Sequence, residues 1–144
     1  MISTLRVKNI LFGVLWVSVL FVASCAPEPS EEPEPDYSGS WTCNETATNP
    51  AGTSSFTVKL VKVGTASSEY KIQNFYNLGF NNEAKVSIGT SGVYMSSQTI
   101  GSGNSAFTAS GSGTVNSTAK FSMNYEMSDG SGDVDACSAT FTKQ

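Results

Sequence analysis

The 144-residue chain contains no histidine, and charged residues make up only 14% of it. The absence of histidine removes the commonest acid–base side chain and the commonest metal ligand, and it excludes Ser-His-Asp and Cys-His catalytic arrangements. The net charge of −4 argues against a nucleic-acid partner. We therefore predict a non-enzymatic protein without a metal or cofactor. A cleft with strongly shifted carboxylates would instead indicate an enzyme or an inhibitor.

Charge is distributed unevenly along the chain. Residues 26–36 hold five acidic residues, four prolines and no basic residue, whereas residues 37–144 hold seven acids and six lysines and are therefore almost neutral. The acidic, proline-rich segment has too little apolar surface to fold and its carboxylates repel one another. We predict a disordered, semi-extended linker that reaches roughly 30 Å.

The N-terminus has the pattern of a secretory signal. Arg6 and Lys8 precede an apolar run over residues 10–22. This run of about 13 residues is shorter than the ~20 needed for a membrane-spanning helix. We therefore predict a signal peptide over residues 1–24, with an uncleaved anchor as the alternative.

The segment Val22-Ala23-Ser24-Cys25 resembles a bacterial lipobox. The resemblance implies cleavage before Cys25 and attachment of two or three acyl chains, which give stable membrane anchoring. The alternative is an ordinary cleavage site. Residues 25–36 then form the lipidated cysteine and its linker. Ser30-Glu31-Glu32 resembles the acidic signal that sends some Gram-negative lipoproteins to the outer leaflet of the outer membrane, and a plain solvated tether is the other interpretation.

Residues 37–144 lack helical periodicity and instead show short alternations of apolar and polar residues separated by Gly, Asn and Ser. Eight strands are predicted, over about 39–46, 54–63, 69–75, 84–89, 93–99, 105–114, 119–127 and 133–143. The short connections favour antiparallel neighbours, and closure of the sheet removes exposed edges. We predict an all-β domain over 37–144, an eight-stranded antiparallel up-and-down meander β-barrel. A two-sheet sandwich is the competing architecture.

Two cysteines remain if Cys25 carries lipid. Cys43 lies in the first predicted strand and Cys137 in the last, each on the same face as a large apolar residue, Trp41 or Phe141. Because disulfides persist outside the cytosol, we predict a Cys43–Cys137 disulfide. It would contribute roughly 4–5 kcal/mol in the chain-entropy model. Two free buried thiols are the alternative.

The start of the domain, Tyr37-Ser38-Gly39-Ser40-Trp41, resembles the Gly-x-Trp opening of the calycins, the lipocalin-like eight-stranded barrels. Further similarity to small lipocalin-like lipoproteins of Gram-negative surfaces comes from Asn74-Phe75, Gln98, Gly111 and Gly113. The resemblance implies that Trp41 lies on the first strand at the base of the barrel. We expect a lipid-anchored surface protein whose barrel is a binding or accessory module for a surface protein or glycan.

The inward faces of the predicted strands allow a second function. A cavity for a small hydrophobic ligand would be lined by Trp41, Phe107, Phe121, Met123 and Tyr125. The same alternation also suits a barrel filled by its own side chains. A ligand site needs roughly 300 Å³ or more, so the free volume decides between them.

Three further features of the sequence have two interpretations each. The aromatic stretch with Tyr70, Phe75, Tyr76 and Phe80 predicts either a plug at one end of the barrel or a recognition patch. Residues 129–135 predict a hairpin turn rather than a weak calcium loop. Glu45 either faces inward beside Trp41 and Cys43 or lies at the barrel rim, and we expect the rim because an acid at a strand end usually lies there.

Overall fold

The computed structural model describes residues 34–65 and 68–144. The predicted signal peptide, the lipobox with Cys25 and most of the acidic linker lie outside these residues. Eight strands are present: β1 Gly39–Thr48, β2 Ala51–Lys62, β3 Glu69–Gln73, β4 Glu83–Ile88, β5 Gly92–Ile100, β6 Phe107–Ser117, β7 Lys120–Ser128 and β8 Val134–Lys143. Two short 3₁₀ turns, Phe75–Asn77 and Gly103–Ser105, interrupt the connections.

Each strand pairs antiparallel with the next, and β1 also pairs with β8, which closes the sheet into a barrel. The predicted eight-stranded up-and-down barrel is therefore confirmed, and the sandwich alternative is wrong. The closing register runs from Trp41 opposite Lys143 to Ala47 opposite Cys137. No helix in the described part of the chain is long and apolar enough to cross a membrane.

Apolar side chains on alternate positions fill the barrel interior. Trp41 and Phe121 pack with ring centroids 5.1 Å apart, and Phe121 stacks on Phe141 at 4.5 Å. Alternation places these residues on one face of each strand, because successive side chains in a strand point to opposite faces. The largest fully buried side chains are Trp41, Tyr37, Tyr70, Phe75, Phe121, Phe141, Leu60, Ile72, Met95, Ile100, Met123 and Met127.

One end of the barrel, which we call the base, is closed by the residues before β1. Tyr37 is buried, and its hydroxyl donates to the carbonyl of Gly89 at 3.3 Å. The Trp41 indole Nε1 donates to the Tyr37 carbonyl at 2.8 Å. Trp41 therefore lies on the first strand next to the residue that covers the base.

Two inward-facing glycines let β6 and β7 approach closely. A Cβ at Gly111 would lie 2.5 Å from the backbone oxygen of Asn124, and a Cβ at Gly113 would overlap the backbone oxygen of Ser122. These contacts involve backbone atoms, which cannot rotate away. Only glycine therefore fits at these two positions of the bent sheet.

The predicted Cys43–Cys137 disulfide is not present, and both cysteines are buried free thiols. Cys43 lies opposite Phe141, whereas Cys137 lies opposite Ala47. The two cysteines are thus offset by four residues along adjacent strands, or roughly 13 Å. A disulfide requires Cα atoms within about 7 Å, so this register keeps the thiols apart. Hydrogen bonds between β1 and β8 close the barrel instead.

Replacement of Gly113 by alanine should strongly destabilise the barrel. The added methyl group meets backbone atoms of β7, so we expect a loss of about 3 kcal/mol in the free energy of unfolding. Gly52→Ala is the matched control, because a Cβ at that exposed β2 position meets nothing within 4 Å. Urea denaturation should show the control within about 0.5 kcal/mol of wild type. Equal effects of the two substitutions would contradict this account.

Candidate functional site

A compact loop over residues 74–82 covers part of the barrel end opposite the base. Asn74 holds this loop in place: its amide Nδ2 donates to the Thr57 carbonyl at 2.7 Å, and its Oδ1 accepts from the Gly79 amide at 2.7 Å. Within the loop, the Phe75 side chain is buried, and its ring centroid lies 4.7 Å from that of Tyr125. For Phe75 and Tyr76 this arrangement agrees with the barrel-end plug predicted for the aromatic stretch, whereas Tyr70 lies at the base, where its hydroxyl accepts from the Tyr37 amide. Phe80 differs from the others, since half of its surface is exposed.

Asp135, the second residue of β8, ties the plug to the β1–β2 turn. Its carboxylate accepts hydrogen bonds from the backbone amides of Thr48 and Asn49 at 2.7 and 2.8 Å, and from the Tyr76 hydroxyl at 2.5 Å. Burial alone would raise the pKa of Asp135, but these hydrogen bonds outweigh it and the net shift is downward. Asp135 is therefore an ionised, buried anchor that joins β8, the β1–β2 turn and the plug.

Glu45 points into the barrel, and the expectation that it lies at the rim is wrong. Only 7% of its surface is exposed, and its Oε2 accepts a hydrogen bond from the Tyr125 hydroxyl. The alternation of β1 explains the position, because Trp41, Cys43 and Glu45 share one face. Burial, with the nearby negative charge of Asp135, raises the pKa of Glu45 to about 7.

The two cysteines lie close to these carboxyl groups. Burial raises the pKa of both Cys43 and Cys137, and the charge of Glu45 adds to the shift. Both thiols therefore stay protonated at neutral pH, the form that is a poor nucleophile and a poor metal ligand. The described residues contain no group of three or more acidic or cysteine side chains placed to hold a metal ion.

The barrel end opposite the base has a depression of about 220 Å³. We call this depression the mouth. Three of the residues that line it are apolar or aromatic and three are aspartates. The lining comprises Asn49, Tyr76, Phe107, Met127, Asp129, Asp133 and Asp135. Tyr76 and Phe107 are in contact, with ring centroids 6.1 Å apart. The mouth thus has a mainly polar, negatively charged surface, with the half-buried Tyr76 and Phe107 rings as its apolar part and no positively charged side chain in its lining.

The five predicted lining residues do not form one open cavity. Trp41, Phe121, Met123 and Tyr125 point inward and are almost completely buried by one another and by their neighbours. Phe107 alone is half-buried at the mouth. Residues outside the predicted lining set complete the mouth, namely Asn49, Met127 and Asp135. The alternation along β7 and β8 predicts that Met127 and Asp135 face inward. No local sequence pattern predicts that these two side chains lie beside Tyr76.

The architecture defines the class of this domain: a small, closed, antiparallel up-and-down β-barrel with a sealed base and a filled interior. A solved structure of EF1p2_mFAP2b bound to DFHBI is similar, with 17% sequence identity and a TM-score of 0.54 over 75% of this chain and 94% of that chain. A redesigned β-barrel, b11L5F_LGL, has 18% identity and a TM-score of 0.49 over 75% of this chain and 91% of that chain. At such low identity, the likeness to EF1p2_mFAP2b shows the fold alone.

Comparison of the sequence with models of protein families finds no match, and comparison with curated proteins finds none either. The fold is therefore assigned from the structure itself and its structural likeness.

The raised pKa of Glu45 makes the stability of the barrel depend on pH. Folded Glu45 keeps its proton up to about pH 7, whereas in the unfolded chain it loses the proton near its ordinary value of 4.5. Between these values the folded state binds more protons, so stability falls as the pH rises through this window. From pH 5 to 8, wild type should lose about 1–2 kcal/mol of stability relative to Glu45→Gln.

Urea denaturation at pH 5, 6, 7 and 8 measures this difference. The amide introduced by Glu45→Gln keeps an oxygen that can accept from the Tyr125 hydroxyl, but it cannot ionise. Glu126→Gln, which removes an exposed carboxylate from the neighbouring position on β7, should retain the pH dependence of wild type. Parallel curves for wild type and Glu45→Gln would show that Glu45 does not titrate in this window.

Proposed function

We propose that this protein is a lipid-anchored, non-enzymatic binding module on the outer surface of a Gram-negative outer membrane, similar to small lipocalin-like lipoproteins. One observation carries the binding role. The base is sealed by Tyr37 and the interior is filled, whereas the mouth is a depression in which two half-buried aromatic rings, Tyr76 and Phe107, lie beside a negative rim. At this end of the barrel, the mouth is thus the place where a small ligand is partly buried and also contacts charged side chains.

The lipobox-like Val22-Ala23-Ser24-Cys25 and the acidic linker behind it support the membrane anchor and the surface location. In this proposal Cys25 carries the acyl chains, and the linker holds the barrel away from the membrane. The position of Trp41 on the first strand, hydrogen-bonded to the residue that covers the base, supports the lipocalin-like assignment.

The lining of the mouth indicates the chemistry of the ligand. The half-buried Phe107 and Tyr76 rings offer apolar contact, while Asp129 and Asp133 at the rim favour a positive charge. The volume of about 220 Å³ suits a small group and is below the usual range of roughly 300–1,000 Å³ for drug-sized ligands. We therefore infer a ligand with a small apolar moiety and a cationic group.

Two properties of the carboxyl groups support a non-enzymatic role. Glu45 is the carboxyl group whose pKa is closest to neutral, but it is buried inside the barrel with Tyr125 hydrogen-bonded to it. Asp135 at the mouth is fully engaged by the plug and the β1–β2 turn. A general acid or base needs direct or water-mediated contact with substrate, and neither group is free to make it.

A carrier of a small hydrophobic ligand inside the barrel is the second candidate. The similar barrel EF1p2_mFAP2b was solved bound to DFHBI, and Trp41, Phe121, Met123 and Tyr125 face the interior here as well. These four side chains occupy the space that such a ligand would need. Interior binding would therefore require their displacement, which is why we favour the mouth.

The anchor is tested by metabolic labelling with radioactive palmitate. We expect label on the wild-type chain and none on Cys25→Ala, because the lipobox cysteine is the proposed acyl acceptor. Cys137→Ala is the control and should be labelled like wild type, since its thiol is buried in the barrel. Label that persists on Cys25→Ala would refute the anchor.

The mouth is tested by NMR titration with benzyltrimethylammonium. We expect saturable shifts of the Phe107 ring resonances and of the buried Met127 methyl that borders the mouth, because the ligand ring packs on Phe107 and Tyr76 and the cation lies near the rim carboxylates. Asp129→Asn combined with Asp133→Asn should weaken binding about fivefold to tenfold. Glu126→Gln, which removes a carboxylate outside the mouth, should have no effect.

Benzenesulfonate supplies the charge control, since it has the same ring with the opposite charge. Equal binding of the two compounds, or no shift of Met127 with either, would refute the proposed mouth site. Shifts of the Trp41 indole and Met123 methyl, which lie deep in the core, would favour the interior carrier instead.

A further inference from the structure

The outer surface of the barrel carries a face with few charged side chains. Its central row crosses six strands in register: Tyr94 lies opposite Ser112, Ser112 opposite Asn124, Asn124 opposite Ser138, Ser138 opposite Thr46, and Thr46 opposite Thr53. All six side chains are exposed. We call this row and the side chains beside it the hydroxyl face.

Two shallow grooves cross the hydroxyl face and share Thr46 and Ser138. One groove, of about 490 Å³, spans β6, β7, β8 and β1, and the other, of about 530 Å³, spans β8, β1 and β2. Adjacent strands lie about 4.8 Å apart, so the two grooves together extend about 19 Å across five strands. This is the size of a site for an extended chain rather than for a compact small molecule.

Polar groups of the face are available to a ligand. Within residues 34–65 and 68–144, the side chains of Ser112, Asn124, Ser138 and Thr46 make no hydrogen bond to the protein. By contrast, the amide of Gln98, on the outside of β5, is fully used by the backbone of Lys85. The hydroxyl face therefore offers donors and acceptors that only solvent or a ligand can satisfy.

Tyr94 borders the row at its β5 end. Its side chain is 62% exposed, the largest exposure of any large apolar or aromatic residue in the described chain. A tyrosine ring offers a flat apolar surface with a polar tip, which suits the apolar C–H face of a sugar ring. It lies next to Ser112, so one ligand can contact the ring and the hydroxyl groups together.

The scarcity of charged side chains on the hydroxyl face indicates which kind of ligand it binds. Glu126 is the one charged side chain that points outward among the groove-lining residues, whereas the Lys71–Glu83 ion pair and Lys85 lie on β3 and β4. An anionic polymer would find no counter-charge in the grooves, and apart from Tyr94 the exposed row lacks the aromatic, methionine and arginine side chains that are enriched in the cores of protein interfaces. We propose that the hydroxyl face binds a neutral glycan chain. This site is separate from the mouth and does not depend on the function proposed there.

Affinity electrophoresis of the full chain in a polyoxyethylene detergent tests the proposal. The gels contain a neutral β-1,3-glucan, xylan or galactomannan, or the anionic polygalacturonate. We expect at least one neutral polysaccharide to retard the protein saturably and polygalacturonate not to do so. Tyr94→Thr, which keeps a strand-compatible side chain but removes the ring, should weaken retardation about tenfold.

Thr46→Val gives a second variant that changes almost no volume and removes one hydroxyl at the junction of the two grooves. It should weaken retardation about threefold to tenfold. Thr108→Val and Phe80→Thr are the matched controls, because these exposed residues lie outside both grooves, and they should behave like wild type.

Three results would overturn the proposal: no retardation by any neutral polysaccharide, equal retardation by polygalacturonate, or equal losses in the control variants. Each is distinguishable from failure of the mouth site, which is measured at Met127 with a different probe.

Discussion

The pairing of β1 with β8 is the constraint on which the rest of this structure depends. It removes both edges of the sheet and sets the tilt and stagger of every strand around the axis. With that stagger, Trp41 meets Phe121 and Phe121 meets Phe141, so three large rings fill the lower half of the barrel. Glycine at 111 and 113 is the local condition for the same closure, because a Cβ at either position would collide with the backbone of β7.

The two ends of the barrel are built differently, and the difference explains where ligands are expected. Tyr37 and Trp41 close the base with hydrogen bonds to backbone carbonyls. The other end is held by Asp135, whose ionised carboxylate joins β8 to the β1–β2 turn and to Tyr76 of the plug. A buried charge is tolerable only with such hydrogen bonds, and the mouth lies beside them.

Sequence reasoning placed the strands well because alternation is a local signal. The inward positions of Trp41, Phe121, Met123 and Tyr125 follow from a period of two, and that period does not depend on distant residues. The plug could be anticipated from three aromatic residues in a turn-rich stretch. The attachment of the plug could not be anticipated, because it depends on residues far away in the chain. The Asn74 side chain donates to the Thr57 carbonyl, and the Tyr76 hydroxyl donates to Asp135.

The sequence by itself thus determined which face of each strand is buried and that the chain forms a meander of eight strands. Only the tertiary structure decided the register between the first and last strands. That register separates Cys43 from Cys137, brings Glu45 under Tyr125, and places Thr46 opposite Ser138 so that β1 extends the polar row of the outer face. The physical reason is that the face on which a side chain lies follows from its neighbours in the same strand. The register between the first and last strands depends instead on the stagger accumulated around the closed barrel.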